Sequence, residues 1–193
     1  MTPRLIALAA TPPQPWRNGG GVTRELLAWP AGGEWQVRVS VAEIETDGPF
    51  SPFPGVERWF AVLEGGGVSL TVAGAEHRCR VGDPPLSFSG EAAVDCRLLR
   101  GPTRDLNLML RGVRGAMQRV AAGEAWSPRA GRCGLYALVA GRCRADATTT
   151  DIPADSLAWF DAAPGTLSFQ PGSPSGQVAS GWWLAAEAKG SDA

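Results

Sequence analysis

Histidine, lysine and tyrosine each occur once in these 193 residues, as His77, Lys189 and Tyr136. One imidazole is too few for the several-histidine ligand set of a catalytic transition-metal site. No G-x-S-x-G elbow accompanies it to build a Ser-His-Asp triad. Flanked by Glu76 and Arg78 on a hairpin, His77 reads as an exposed strand residue rather than a ligand. The four cysteines, Cys79, Cys96, Cys133 and Cys143, include no C-x-x-C pair, which argues against a zinc ribbon or thioredoxin-type site and leaves buried free thiols. No metal and no cofactor is therefore expected. Runs of about 20 apolar residues are missing, as is the apolar stretch of a signal peptide near Met1, so the expectation is a cytoplasmic protein. Lys plus Arg (18) nearly cancels Asp plus Glu (19), and the arginines are dispersed, which leaves no footprint for nucleic acid or an anionic membrane.

What is plentiful is glycine (25) and proline (16), within a composition that is 44% apolar. That is enough for a core and too many helix breakers for a bundle, so turn-rich β structure follows. Alternating runs such as Glu34–Ala42, Val68–Val72, Asp105–Leu110 and Leu135–Val139 have the period of half-buried strands. A helical turn or two is expected only near Gly115–Ala122. Trp59–Gly66, a hairpin and Gly82–Phe88 are echoed by Gly134–Gly141, a hairpin and Pro153–Phe160. Two copies of one barrel or jelly roll, the class that includes cupins, explain the echo. The expected division is 1–112 and 113–193, the second half completed if needed by N-terminal strands. The tail Glu187–Ala193 reads as a frayed end.

Polar residues fall at alternate positions on three of these strands: Thr23 and Glu25, Arg38 and Ser40, Asp105 and Asn107, the last continued by Met109. Period 2 puts each pair on one face. They are either solvent-facing rows or the wall of a barrel interior, where their charges must pair or meet a ligand. Arg38 and Arg58 against Glu25 and Asp105 balance in sign. The segment Pro15–Glu25 holds three consecutive glycines without a G-K-[ST] or a following helix pattern, so a phosphate loop is disfavoured. A loop over a barrel mouth fits better, with Trp16 as a wall and Asn18 as a polar contact. Asp47–Arg58 combines prolines with Phe50 and Phe53, either as a preformed rim or as a plug in the core.

Four stretches, Trp16–Glu25, Arg38–Ile44, Gly48–Gly55 and Gly101–Met109, resemble the HutD/Ves family in content and order. The resemblance implies a bicupin fold, all-β with two cupin-like halves, and a pocket in the N-terminal barrel formed by Asn18, Thr23, Glu25, Arg38, Ser40, Arg58, Asp105 and Asn107. It also implies an association with bacterial histidine utilisation, in which members bind a pathway intermediate and limit its excess, although the Ves branch is tied to stress or cold responses. Leu106 stands where an aromatic is common, and Arg111 where a basic pair is usual.

Three readings follow. In the first, the protein is a metal-independent sensor of a small, carboxylate-bearing metabolite such as urocanate or formyl- or formimino-glutamate. Arg38 or Arg58 pairs with the carboxylate, Asn18, Ser40 and Asn107 meet other polar atoms, and Glu25 and Asp105 accept from a ligand nitrogen. In the second it is a metal-free isomerase or hydrolase with Glu25 or Asp105 as general base. In the third, Trp126, Trp159, Trp182 and Trp183 form a dimer or partner surface, one of the adjacent Trp182–Trp183 pair being exposed.

Overall fold

The computed structural model describes residues 1–129, 131–172 and 179–188; most of the tail, 189–193, lies outside the described residues. Its strands are β1 (Arg4–Ala7), β2 (Gln14–Pro15), β3 (Gly21–Trp29), β4 (Val37–Ile44), β5 (Gly48–Pro49), β6 (Val56–Gly65), β7 (Val68–Val72), β8 (Ala75–Cys79), β9 (Leu86–Ser89) and β10 (Val94–Leu98). They continue with β11 (Thr103–Arg111), β12 (Val113–Arg119), β13 (Ala125–Trp126), β14 (Arg132–Ala137), β15 (Gly141–Ala145), β16 (Thr148–Ile152), β17 (Ser156–Phe160), β18 (Leu167–Pro171) and β19 (Gly181–Ala188). The one helical element among the described residues is a 3-10 turn at Leu8–Ala10, and no helix is long and apolar enough to cross a membrane.

By contacts the chain divides into Pro12–Gly112 and a second unit made of Met1–Thr11 with the residues from Val113 onward. Residues 1–11 go with the second half because β1 pairs antiparallel with β17 and Leu8 N–H donates to the Asp155 carbonyl at 2.9 Å. Each unit contains the repeat. In the first, β6 pairs with β9 across the β7–β8 hairpin; in the second, β14 pairs with β17 across β15–β16.

The Pro12–Gly112 unit has a six-stranded sheet, β2-β3-β4-β11-β6-β9, and a four-stranded sheet, β5-β10-β7-β8. Register fixes what shares a face. Thr23, Ala42, Asp105 and Val62 form one cross-strand row, Glu25, Ser40, Asn107 and Phe60 the next, and Arg38, Met109 and Arg58 a third. This is the face of Ile44, Phe60 and Val62, which pack with Val68, Leu70, Phe88, Val94 and Cys96 into the core cluster. The polar rows therefore point into the barrel. The opposite face, with Val39, Val41, Leu106 and Leu108, is also buried, at 0–1% exposure. Two β-bulges interrupt the sheet, one on β3 between Glu25 and Leu27 and one between β11 and β6 at Arg104/Asp105. Bulges re-aim side chains, and both lie beside a carboxylate of the polar rows.

In the second unit the sheets are β1-β17-β14-β19-β12 and β13-β18-β15-β16, with a core that includes Leu135, Phe160, Phe169 and Trp183. Three expectations are corrected. The helical turn near Gly115–Ala122 is instead β12, because seven consecutive residues pair with β19 and that ladder holds them extended. Trp182 and Trp183 point to opposite faces, yet both are buried, at 1% and 2% exposure, since Tyr136 and Trp159 on the Trp182 face are covered too. Trp126 stacks on Trp183 at 4.9 Å, so these indoles pack inward. His77 is half-buried, paired with Leu70 on β7 and so on that strand's inward face.

Candidate functional site

A cavity of about 640 Å³ opens in the Pro12–Gly112 unit. Of the residues singled out from sequence, Trp16, Asn18, Thr23, Arg38, Ser40, Phe50, Arg58, Asp105 and Asn107 line it. Glu25 does not, a correction: its Oε2 accepts from Nε of the cavity-lining Arg38 at 2.7 Å, so the carboxylate is engaged in holding that arginine. The structure adds Gln14, Arg17, Ala42, Ser51, Phe53 and Met109, together with Pro15, Pro49 and Pro52. Met109 was legible as the continuation of the Asp105–Asn107 row, and Arg17 sits inside the glycine-rich segment. No signal in the sequence separated a cavity-lining Phe53 from a core plug.

The loops around the cavity are fixed by their backbones. Trp16 N–H donates to the Gly21 carbonyl at 2.9 Å and Asn18 Oδ1 accepts from Gly20 N–H at 3.0 Å, closing the turn between β2 and β3. Gly19 adopts φ +71°, and a Cβ on Gly21 would lie 2.2 Å from the Glu43 carbonyl oxygen. Here glycine serves a left-handed turn and a close strand approach. The Trp16 indole donates to Thr23 Oγ1 at 2.7 Å and meets Phe50 edge-on, with ring centroids 6.3 Å apart. Across the proline loop, Phe50 N–H donates to the Val94 carbonyl, Phe53 N–H to that of Gly90, and Gly55 N–H to Glu91 Oε1. The loop is a rim and a cover at once, since Phe50 lines the cavity while leaning on Phe60 in the core.

Beneath that rim the ionisable groups form two sets. At the more open one, Arg38 is held by Glu25 and places Nη1 3.6 Å from Met109 Sδ. The deeper one is a directed chain. Arg58 Nη2 donates to Asn107 Oδ1 at 2.8 Å, and Asn107 Nδ2 donates to Asp105 Oδ1 at 2.6 Å. Arg58 is 6% exposed, with Phe50, Phe53 and Phe88 ring centroids 5.1, 5.7 and 5.1 Å from its guanidinium carbon. Burial lowers its pKa to about 10, opposed by Asp105 and aided by Arg38, so it stays a cation at neutral pH. Burial also pushes the Asp105 carboxyl up to about 8, although Arg58 and the Asn107 hydrogen bond pull the other way. Asp105 Oδ2 and Arg58 Nε are buried with no hydrogen-bond partner among the described residues. Further out, Arg111 pairs with Glu34 and lies 4.9 Å over the Trp35 ring.

Cupin barrels often hold a divalent metal on imidazoles and carboxylates. The residues here do not fit one: among the described residues no group of three or more His, Cys, Asp or Glu is placed to hold an ion. The ionisable residues lining the cavity are three arginines, Arg17, Arg38 and Arg58, and one carboxyl, Asp105. A wall of that kind favours an anionic guest.

A family model described as HutD matches residues 9–173. An uncharacterised 21.2 kDa protein in the hutC 3′ region of Pseudomonas putida is 40% identical over 127 residues, 64% of this chain and 63% of that protein. The match thus spans less than two thirds of that relative's length. Protein Ves of Citrobacter koseri is 36% identical over 128 residues, 65% of this chain and 67% of that protein. Among solved structures, a conserved protein of unknown function from Pseudomonas aeruginosa PAO1 is similar with a TM-score of 0.85 and 28% identity, covering 97% of this chain and 99% of that one. HutD from Pseudomonas fluorescens SBW25 gives 0.82 at 24% identity, with the same coverage. A cupin 2 barrel protein from Leptotrichia buccalis gives 0.56 at 10% identity, covering 98% of each chain, a likeness of fold.

Proposed function

This chain belongs to the HutD family, and we propose that its Pro12–Gly112 barrel is a metal-independent binding site for a small carboxylate-bearing metabolite, serving a cytoplasmic sensor or regulator of a histidine-degradation intermediate. The observation that carries the reading is the charge of the cavity wall, where three arginines face one carboxyl that burial holds toward its neutral form. The link to histidine degradation draws on the family and on the hutC neighbourhood in the name of the Pseudomonas putida relative. Urocanate, formylglutamate and formiminoglutamate fit the site's chemistry.

Arg38 is the anchor for the ligand carboxylate. Glu25 occupies its Nε and fixes the guanidinium, leaving Nη2, and Nη1 beyond its weak contact with Met109 Sδ, for a charge-assisted contact. Arg58, already committed to Asn107, contributes field rather than the first contact. Trp16, Phe50, Phe53 and Met109 supply the apolar walls that a planar or short aliphatic body needs. Ser40 and Asn18 remain for the ligand's other polar atoms.

A second reading is favoured by one observation. A buried carboxyl with a raised pKa and one unpartnered oxygen in a ligand-sized cavity has the properties of a general acid or base, so Asp105 also suits a metal-free isomerase or hydrolase. Glu25, held on Arg38, suits that role less. The test is calorimetric titration of metal-stripped protein with urocanate, formylglutamate, formiminoglutamate and histidine, each mixture then analysed by mass spectrometry and chromatography. Saturable binding of an unchanged ligand supports the sensor, a new product supports the enzyme, and no heat from any of the four removes the histidine connection.

A further inference from the structure

The direction of hydrogen bonding around Asp105 is fixed by elementary donor counting. A guanidinium has donors and no acceptor, so Asn107 must turn its carbonyl oxygen to Arg58 Nη2, 2.8 Å away. The amide nitrogen of Asn107 then faces Asp105 Oδ1 at 2.6 Å and donates to it. Two polar atoms of this hydrogen-bonded chain are buried without a partner among the described residues, the donor Arg58 Nε and the carboxyl oxygen Asp105 Oδ2. Asp105 lines the cavity, and its cross-strand neighbours are Ala42 and Val62, which offer no side-chain hydrogen bond.

Resting on the reading of this cavity as a carboxylate site, we propose that Asp105 holds a proton in the free protein and uses the resulting O–H at Oδ2 to donate a hydrogen bond to a carboxylate oxygen of the bound ligand. The cavity already presents donors in Arg17, Arg38 and Ser40. A neutral acid at the floor adds one more, and an acceptor-rich ligand is what satisfies the set. An ionised Asp105 would set a bare acceptor against the incoming carboxylate, and two carboxylates at hydrogen-bond distance require a shared proton.

The groups around Asp105 agree with a proton there. From β6 comes Arg58, which lowers the Asp105 pKa through its charge, yet burial outweighs it and brings the group to about 8. From β4 comes Arg38, whose charge is met by Glu25 of β3. The facing sheet contributes the thiols of Cys79 on β8 and Cys96 on β10, pushed by burial to about 11 and about 12 and therefore neutral. On β11 itself the inward neighbours are Thr103, Asn107 and Met109, none of them titratable near neutrality.

Ligand binding is then coupled to proton uptake. The probes are N-formylglutamate, whose carboxylates stay ionised from pH 6 to 10, and urocanate between pH 7.5 and 9.5. The Asp105 carboxyl carbon is first followed by NMR in the free protein, assigned by its loss in Asp105→Asn. Binding is then measured by calorimetry across the pH range in buffers of different ionisation enthalpy. The expected results are a titration of Asp105 near pH 8 and a roughly 30-fold weaker affinity at pH 9.5 than at pH 7, since affinity falls tenfold per unit above the free-protein pKa. Proton uptake per ligand bound should be about one half at pH 8 and close to one above about pH 9. Asp105→Asn, whose amide is a permanent donor, should show no such pH dependence. Titration of Asp105 near pH 4 overturns the proposal without reference to any ligand. Binding that is equally tight from pH 7 to 9.5 overturns the donated hydrogen bond and leaves the carboxylate site standing. Absence of binding by both probes while Asp105 still titrates near pH 8 overturns the carboxylate reading, and the donation with it.

Discussion

The Arg58 guanidinium is joined to the Asp105 carboxyl through a single amide, Asn107, at 2.8 and 2.6 Å. All three are buried, at 6%, 1% and 4% exposure, in the wall of the cavity. The arrangement holds a cation deep in a barrel without setting an ionised partner directly against it, and the aromatic faces of Phe50, Phe53 and Phe88 supply part of what water would otherwise give.

Removing the amide leaves both ends of that chain short of a partner. Asn107→Leu, close in volume, should destabilise the protein by about 3 kcal/mol, because a buried charge and a buried carboxyl each lose a hydrogen bond. Urea denaturation at pH 7 measures it. A loss below about 1 kcal/mol would mean that water reaches the chain and replaces the amide.

Asp105 also imposes a pH dependence on folding. Its pKa rises from about 3.8 in the unfolded chain to about 8 in the fold, so between those values the native state holds a proton that the unfolded state has released. The stability that this proton confers is complete below about pH 4, is lost as pH rises, and is gone above pH 8. The slope approaches about 1.4 kcal/mol per pH unit within the window. Asp105→Asn should remove it, so the variant's stability relative to the native protein should climb from pH 5 to pH 8 and then level off. Denaturant melts at unit pH steps provide the check.

The glycine-rich turn makes a steric prediction. Gly21→Ala drives a Cβ against the Glu43 backbone oxygen and should disrupt the β3–β4 ladder, whereas Gly19→Ala meets no atom within 4 Å and bears only its left-handed φ. The second should lose about 1 kcal/mol. The first should lose several times as much in thermal unfolding, and equal effects would contradict the close strand approach.

Arg38→Ala separates binding from folding. Arg38 is partly exposed and its partner Glu25 reaches solvent, with side-chain exposures of 15% and 33%, so the variant should fold. Loss of a charge-assisted carboxylate contact should weaken ligand binding by about 10- to 100-fold. Glu25→Gln, which loosens the guanidinium without removing it, should cost only a few-fold. Calorimetry on the two variants ranks them.

Much of this was legible in the sequence, and what was not has physical causes. Period 2 placed Arg38 with Ser40 and Asp105 with Asn107, and the echo between the halves gave the repeated unit. Alternation could not say which face is inside, because Val39 and Leu108 on the other face are as buried as any core residue. For the same reason one of Trp182 and Trp183 looked exposable, although both are buried. Glu25 was expected on the cavity wall, but beside the bulge at Leu26 its carboxylate is engaged in holding Arg38. Residues 115–119 carry glycine, alanine and methionine with little strand character of their own, and pairing with β19 decides their conformation. Phe53 is placed by a loop whose path depends on Gly90 and Glu91, far off in sequence.

The central claim is a carboxylate site in the Pro12–Gly112 barrel, and the measurement that tests it most directly is NMR mapping with side-chain amide and arginine Nε signals as reporters. Addition of urocanate or N-formylglutamate should move the signals of Arg38, Arg58, Asn18 and Asn107 in a saturable way and leave the indole signals of Trp159 and Trp182 in place. Saturable shifts confined to the second unit, or none in the cavity with either compound, would contradict it.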